Sequence, residues 1–171
     1  YYVRDENRHK VSQHYNWILD IVKGAALATG TTSKVSLNTG VHEMLLNRPL
    51  QEAVYKNFQA VGLPHYSDTE HNFAKQLQEQ FGKDPIGISD ELLALPDRPD
   101  PSRGGSTDVA EISWITPTVS IQVAMAGKGI PWHSWAVAAS AGLPGASQAA
   151  HVAARVLAVT AIDLLTDPSL L

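Results

Sequence analysis

The apolar residues of this chain change period along its length, and that change constrains the fold more than any other feature. Val11, Tyr15, Ile18, Leu19, Val22 and Ala26 recur at helical spacing. They predict a long helix stopping near Gly30, a residue suited to a left-handed cap. Tyr1 to Arg4 reads as the end of a strand. Ser33 to Val41 alternates, with Val35 and Leu37 to one side and Lys34, Ser36 and Asn38 to the other, as a half-buried strand does. Leu50, Val54, Phe58 and Val61 mark a further helix with Pro49 in its first turn. Ser67 and Glu70 form a capping-box pattern that opens a helix through Phe73, Leu77 and Phe81. Thr118 to Met125 alternates most cleanly, with Val119, Ile121, Val123 and Met125 on one face. Ala146 to Leu165 is an Ala-rich helix whose Ala149, Val152, Ala153, Val156 and Leu157 point inward, where small residues predict close packing on a sheet. The mixture of periods predicts an α/β fold in two pieces joined near residues 43–47.

Composition narrows the chemistry. The 171 residues carry 13 basic against 17 acidic side chains with no basic stripe, which argues against a nucleic-acid partner. The absence of cysteine excludes disulfides and thiolate metal sites. A metal would need imidazole or carboxylate ligands, which suits zinc, manganese or cobalt. The same absence agrees with a reducing, cytoplasmic setting. No apolar run approaches the roughly 20 residues of a membrane span, so no membrane partner is expected. The start Tyr1-Tyr2-Val3-Arg4-Asp5, without Met or a signal-like segment, reads as the middle of a longer protein. Residues 83–103 combine Pro85, Pro96, Pro99 and Pro101 with many charges, predicting a loop with a short helix near Asp90 to Leu95.

Two short segments carry the chemistry. Pro131-Trp132-His133-Ser134-Trp135 sets one histidine between two tryptophans that could wall a pocket, just after a predicted strand, where α/β folds gather ligands. A lone imidazole is not a metal site, because zinc takes three or four ligands. Gly104-Gly105-Ser106-Thr107-Asp108 lets backbone approach a ligand closely. A helix starting at Ser106 or Thr107 would favour an anionic group, although a plain helix cap uses the same residue types. Of the other histidines, His42, at a strand end beside Glu43, is the best placed. His9, His14, His65, His71 and His151 read as solvated. No His-x-Asp, Glu-Glu, His-Glu-x-x-His, P-loop, dinucleotide or Gly-x-Ser-x-Gly pattern occurs.

Taken together, Gly24-Ala25-Ala26-Leu27-Ala28-Thr29-Gly30-Thr31, Asn47-Arg48-Pro49-Leu50, Gly105-Ser106-Thr107-Asp108-Val109 and Trp132-His133-Ser134-Trp135 resemble one family in order and spacing. It is the co-catalytic zinc peptidases and amidohydrolases typified by aminoacylase and glutamate carboxypeptidase, and within it the aminobenzoyl-glutamate utilisation branch. The resemblance implies residues 1–43 as the end of an α+β lid domain that mediates homodimerisation. It implies residues 44–171 as the C-terminal part of an α/β zinc-hydrolase catalytic domain.

By the same resemblance His133 is a metal ligand, and Gly105, Ser106, Thr107 and Asn47 bind substrate. The general base and the remaining ligands of two zinc ions per subunit (or manganese or cobalt) lie upstream, so no catalytic residue is expected here. The implied reaction is attack of a zinc-activated water on the amide of an N-acyl amino acid or dipeptide-like substrate, aminobenzoyl-glutamate first. Trp135, where many relatives have Pro, and Thr107, where amino-acid-conjugate hydrolases have Glu, favour the aminobenzoyl-glutamate branch. Without the missing N-terminal portion, the chain is expected to be inactive. The rival expectation is a non-catalytic oligomerisation or ligand-binding module.

Overall fold

A computed structural model describes residues 1–97 and 105–170. The chain forms two compact units: residues 1–47 with 96–118, and residues 48–95 with 119–171. Its helices are α1 (Arg8–Thr29), α2 (Arg48–Val61), α3 (Asp68–Gln80), α4 (Val109–Ser113), α5 (Trp135–Ala141) and α6 (Pro144–Thr166), followed by a 3-10 turn at Pro168–Leu170.

In the first unit α1 begins at Asn7, whose side chain accepts the Lys10 N–H at 3.0 Å. It ends at Gly30, left-handed at φ 64°, a conformation that costs glycine nothing. The half-buried residues of α1 include Val11, Tyr15, Ile18, Leu19, Val22 and Ala26, the face that helical periodicity marks. Residues 31–40 are exposed throughout, Val35 by 46% and Leu37 by 61%. The expected strands at Tyr1–Arg4 and Ser33–Val41 are therefore absent.

The second unit is built on helix-to-helix packing. Val54 and Phe58 of α2 meet Val152 and Val156 of α6 in the buried core, and Val61, Leu63, Leu92, Val119, Ile121 and Val123 close over it. A polar clamp extends the same contact: Asn57 Nδ2 donates to Thr160 Oγ1 at 3.1 Å and to Asp163 Oδ2 at 2.7 Å. Small residues on α6, Gly145 and Ala149, are buried with Val152, Val156 and Thr160. They admit a close approach, but α2 and α5 are the helical neighbours, not a sheet. Leu157, expected inward, is 46% exposed. α6 is long and apolar enough to cross a membrane by length and composition, where no such run was expected. A helix with a packed core stripe meets the same measure.

Ser67 caps α3 as expected. Its N–H and hydroxyl reach Glu70 Oε2 at 2.7 and 2.8 Å, and its oxygen accepts the Glu70 N–H at 3.4 Å. Those donors from Ser67 hold the Glu70 carboxyl below the usual carboxylate range, and the Gly145 N–H in the first turn of α6 lowers it further. Tyr66 beside it donates to the Ala124 carbonyl. Burial, then the Glu70 charge, pushes its phenol up to about 12. Further along α3, Gln78 is fully buried. Its Oε1 accepts the Gly87 N–H at 2.8 Å, and its Nε2 donates to the carbonyls of Gly87 at 3.2 Å and Lys128 at 2.9 Å.

The α/β expectation is thus overturned. Among the described residues there is no sheet, only an isolated antiparallel bridge between Ile88 and Gly127. Residues 118–125 keep their alternation as burial, with Val119, Ile121 and Val123 half-buried and Ser120 and Gln122 exposed. Alternation reports that one side of an extended segment is covered, and here helices cover it. A strand also needs a ladder partner about 4.8 Å away, which periodicity cannot report. The short helix expected at Asp90–Leu95 is absent too, and the last part of the expected loop, residues 98–103, lies outside the described residues. α5, which no periodic signal announced, follows Ser134.

Candidate functional site

Asn47 ends the first segment of the first unit and lines a cavity of about 270 Å³ with Leu45, Leu46 and the turn from Ser113 to Pro117. The surrounding backbone is held by side chains from distant positions. Ser113 Oγ accepts the Leu45 N–H at 2.9 Å and donates to the Ala110 carbonyl at 2.5 Å. Trp114 Nε1 donates to the Glu43 carbonyl at 2.8 Å. Glu43 Oε2 in turn accepts the Arg8 N–H at 2.8 Å, at the start of α1.

Next to this frame stands a histidine–carboxylate pair. Glu111 on α4 accepts the backbone N–H of His42 and faces its Nδ1 at 3.0 and 3.1 Å through its two oxygens. These bonds from His42, backbone first and ring second, hold the Glu111 carboxyl below the usual range. A carboxylate only accepts hydrogen bonds, so Nδ1 carries the hydrogen. The imidazole ring lies 5.3 Å from the Trp114 ring, tilted by 49°. His42–Glu111 and Glu43–Trp114 join positions 69 and 71 apart, and no sequence spacing announces such pairs. The sole hint was that His42 stands beside Glu43.

Gly105, Ser106 and Thr107 are exposed, and a Cβ on Gly105 would meet nothing within 4 Å. Gly104, grouped with them in the sequence, lies outside the described residues. Thr107 Oγ1 accepts the Val109 N–H at 3.3 Å and its carbonyl accepts the Ala110 N–H at 3.2 Å. The helix they introduce starts at Val109, later than Ser106 or Thr107, and has 5 residues, so it offers little dipole to an anion.

His133 belongs to the other unit and is exposed. Ser134 Oγ bonds the Pro131 carbonyl at 2.6 Å and starts α5. Trp135 rests against Phe81 with ring centroids 5.5 Å apart. Trp132 is 58% exposed and Trp135 57%, so neither tryptophan shields the imidazole from water. No group of three or more His, Cys, Asp or Glu that could hold a metal occurs among the described residues. These residues by themselves do not fit a zinc centre.

The remaining histidines have ordinary surroundings. His14 Nε2 meets Asp5 at 2.9 Å, and His9 meets Gln13 at 3.0 Å, one turn away on α1. His71 packs edge-on to Tyr66 at 6.0 Å. His65 and His151 are exposed.

No protein-family model matches the chain, and no solved structure does. The chain is similar to a p-aminobenzoyl-glutamate hydrolase subunit of Escherichia coli (strain K12), at 26% identity over 195 residues. The likeness takes in all of this chain and 40% of that protein. It supports a hydrolase-type function and goes no further than that.

Proposed function

We propose that this chain contributes substrate-positioning groups to an amide hydrolase acting on an N-acyl amino acid, with aminobenzoyl-glutamate the first candidate. One observation carries the reading: the likeness to a p-aminobenzoyl-glutamate hydrolase subunit runs the full length of this chain. The side chains agree in kind. Gly105 leaves open backbone, Ser106 and Thr107 offer hydroxyls, and Asn47 lines a cavity with several apolar walls. His133 offers one exposed imidazole to a metal whose other ligands would come from elsewhere. The chain spans 40% of that relative's length, and hydrolysis is a property proposed for the longer protein.

The test is metal content and turnover of p-aminobenzoyl-glutamate by the longest natural form of the protein, with and without His133→Ala. An exposed position tolerates this change within about 0.5 kcal/mol, so a stable variant that loses zinc and turnover supports the reading. Unchanged zinc and turnover would refute it. The 171-residue chain alone is expected to hydrolyse nothing, and turnover by it would overturn the division of labour proposed.

A second reading, an association module, draws on α1, which exposes Trp17 by 66%, Ile21 by 55% and Leu27 by 83%. Apolar exposure of that kind suits a homodimer contact through residues 1–43. Sedimentation of Trp17→Glu against the unaltered chain separates it from the first. A monomer in both cases removes it.

A further inference from the structure

We propose that the outward face of α6 is a docking surface for the remaining portion of the longer protein, which meets it with large apolar side chains. Opposite the packed stripe of Val152, Val156 and Thr160, α6 carries Ala150, Ala154, Ala158 and Ala161, all exposed. A turn of 3.6 residues sets these alanines between Leu157 and Ile162, which are exposed as well. The result is a shallow trough with a taller side chain on each flank. No charged side chain lies among the alanines, and His151 and Arg155 border them on the Ile162 side. A helix that is apolar on two opposite faces belongs in the interior of a protein, and here one of the two faces is bare.

A bilayer, a second copy and another part of the same protein would each cover an apolar helix, and the first two fit poorly. α6 has the length and composition of a membrane span. Its other face, however, is locked to α2 through Val54 and Phe58 and through the bonds of Asn57 to Thr160 and Asp163. Entering a bilayer would strip those contacts and carry the Asp163 carboxylate into hydrocarbon. A trough of small side chains serves close contact with a fitted protein surface, for which fluid lipid has no use. A second copy must overcome the translational and rotational cost of association, and stable pairs bury roughly 800 Å² a side, about 20–30 residues. One alanine-rich face of one helix offers far less. A segment of the same polypeptide is held at high effective concentration and needs no such area. The likeness to the hydrolase subunit covers all of this chain but 40% of that relative, which leaves the greater part of such a protein to be packed. That occupant rests on the amide-hydrolase reading, whereas the bare face does not.

The chain has no cysteine, so Ala154→Cys gives it a single thiol in the middle of the trough. The experiment follows alkylation of that thiol by iodoacetamide, read on the α6 peptide by mass spectrometry, in this chain and in the longest natural form of the protein. The thiol is expected to react freely in this chain and about tenfold or more slowly in the longer form, where it reacts only when the docked face parts. Ala154→Glu should leave the melting temperature of this chain unchanged and lower that of the longer protein. Equal alkylation in the two forms, or equal loss of melting temperature, would overturn the proposal. Slowing in this chain that grows with its own concentration, or that needs phosphatidylcholine vesicles, would give the face to a second copy or to a bilayer and overturn it too. Hydrolysis by a longer protein whose thiol still reacts freely would sink this inference alone. A shielded thiol in a longer protein that hydrolyses nothing would sink the enzymatic reading and leave the docking face.

Discussion

Gln78→Met removes three hydrogen bonds while nearly keeping the side-chain shape, and it isolates what one buried amide contributes. Gln78 is fully buried, and its partners are the Gly87 N–H and the carbonyls of Gly87 and Lys128. The Gly87 carbonyl stays satisfied without it, because the Lys128 N–H also reaches it at 3.0 Å. Lys128 is exposed, so water can serve its carbonyl at small cost. The Gly87 N–H is in a buried residue and loses its acceptor, at about 1–3 kcal/mol for an unsatisfied buried donor. With a small term for the Lys128 carbonyl, a loss of about 1–3 kcal/mol follows. Gln78→Ala adds a cavity and should cost more, about 3–5 kcal/mol.

Urea unfolding followed by tryptophan fluorescence reads the loss, since Trp135 lies against Phe81 at the end of α3. Amide exchange at Gly87 reads its cause. A Met variant within about 0.5 kcal/mol of the unaltered chain, with the Gly87 amide still protected, would refute the account.

Three other contacts carry predictions of their own. Gly145→Ala places a Cβ 2.8 Å from Glu70 Oε1 and 3.1 Å from Tyr66 Cδ1. The Ser67 cap restrains Glu70, so a lower melting temperature equivalent to about 1–3 kcal/mol is expected, and an unchanged one would show that the carboxylate moves freely. Asn57→Asp replaces the donor that holds Asp163 at 2.7 Å with a second carboxylate. The repulsion raises the folded-state pKa of the pair, so stability is present below about pH 4 and lost as pH rises; a pH-independent deficit would contradict this. Glu111 behaves oppositely. Its folded pKa is depressed below the ordinary value of 4.5 by hydrogen bonds from His42, so its contribution holds above that value and disappears as pH falls through the lower folded value. Acid should expose the His42 amide to exchange, and Glu111→Gln should remove that pH dependence; an exchange profile identical in both proteins would discount the pair.

Much of the local structure was legible because local rules write it. Gly30 at the end of α1, the Ser67–Glu70 capping box and the inward face of α1 all depend on residues within a few positions of one another. Burial of Val119, Ile121 and Val123 was legible as well, but its interpretation as sheet was not, because alternation says which side is covered and not by what. Of the candidate residues, the Gly105 to Thr107 loop was singled out by residue type and Asn47 by the family resemblance. The cavity, Trp114 and Glu111 were not.

The amino-acid order by itself determined the Gly30 end of α1, the Ser67–Glu70 start of α3 and the inward face of α1, since these follow from short-range sterics, capping and side-chain polarity. Only the tertiary structure decided that α6 packs on α2 through Asn57, Thr160 and Asp163, and that Glu111 meets His42. Those contacts join residues about 70 to 106 positions apart. The free energy of such a contact depends on which surfaces the whole chain brings together, and no spacing along the sequence encodes that.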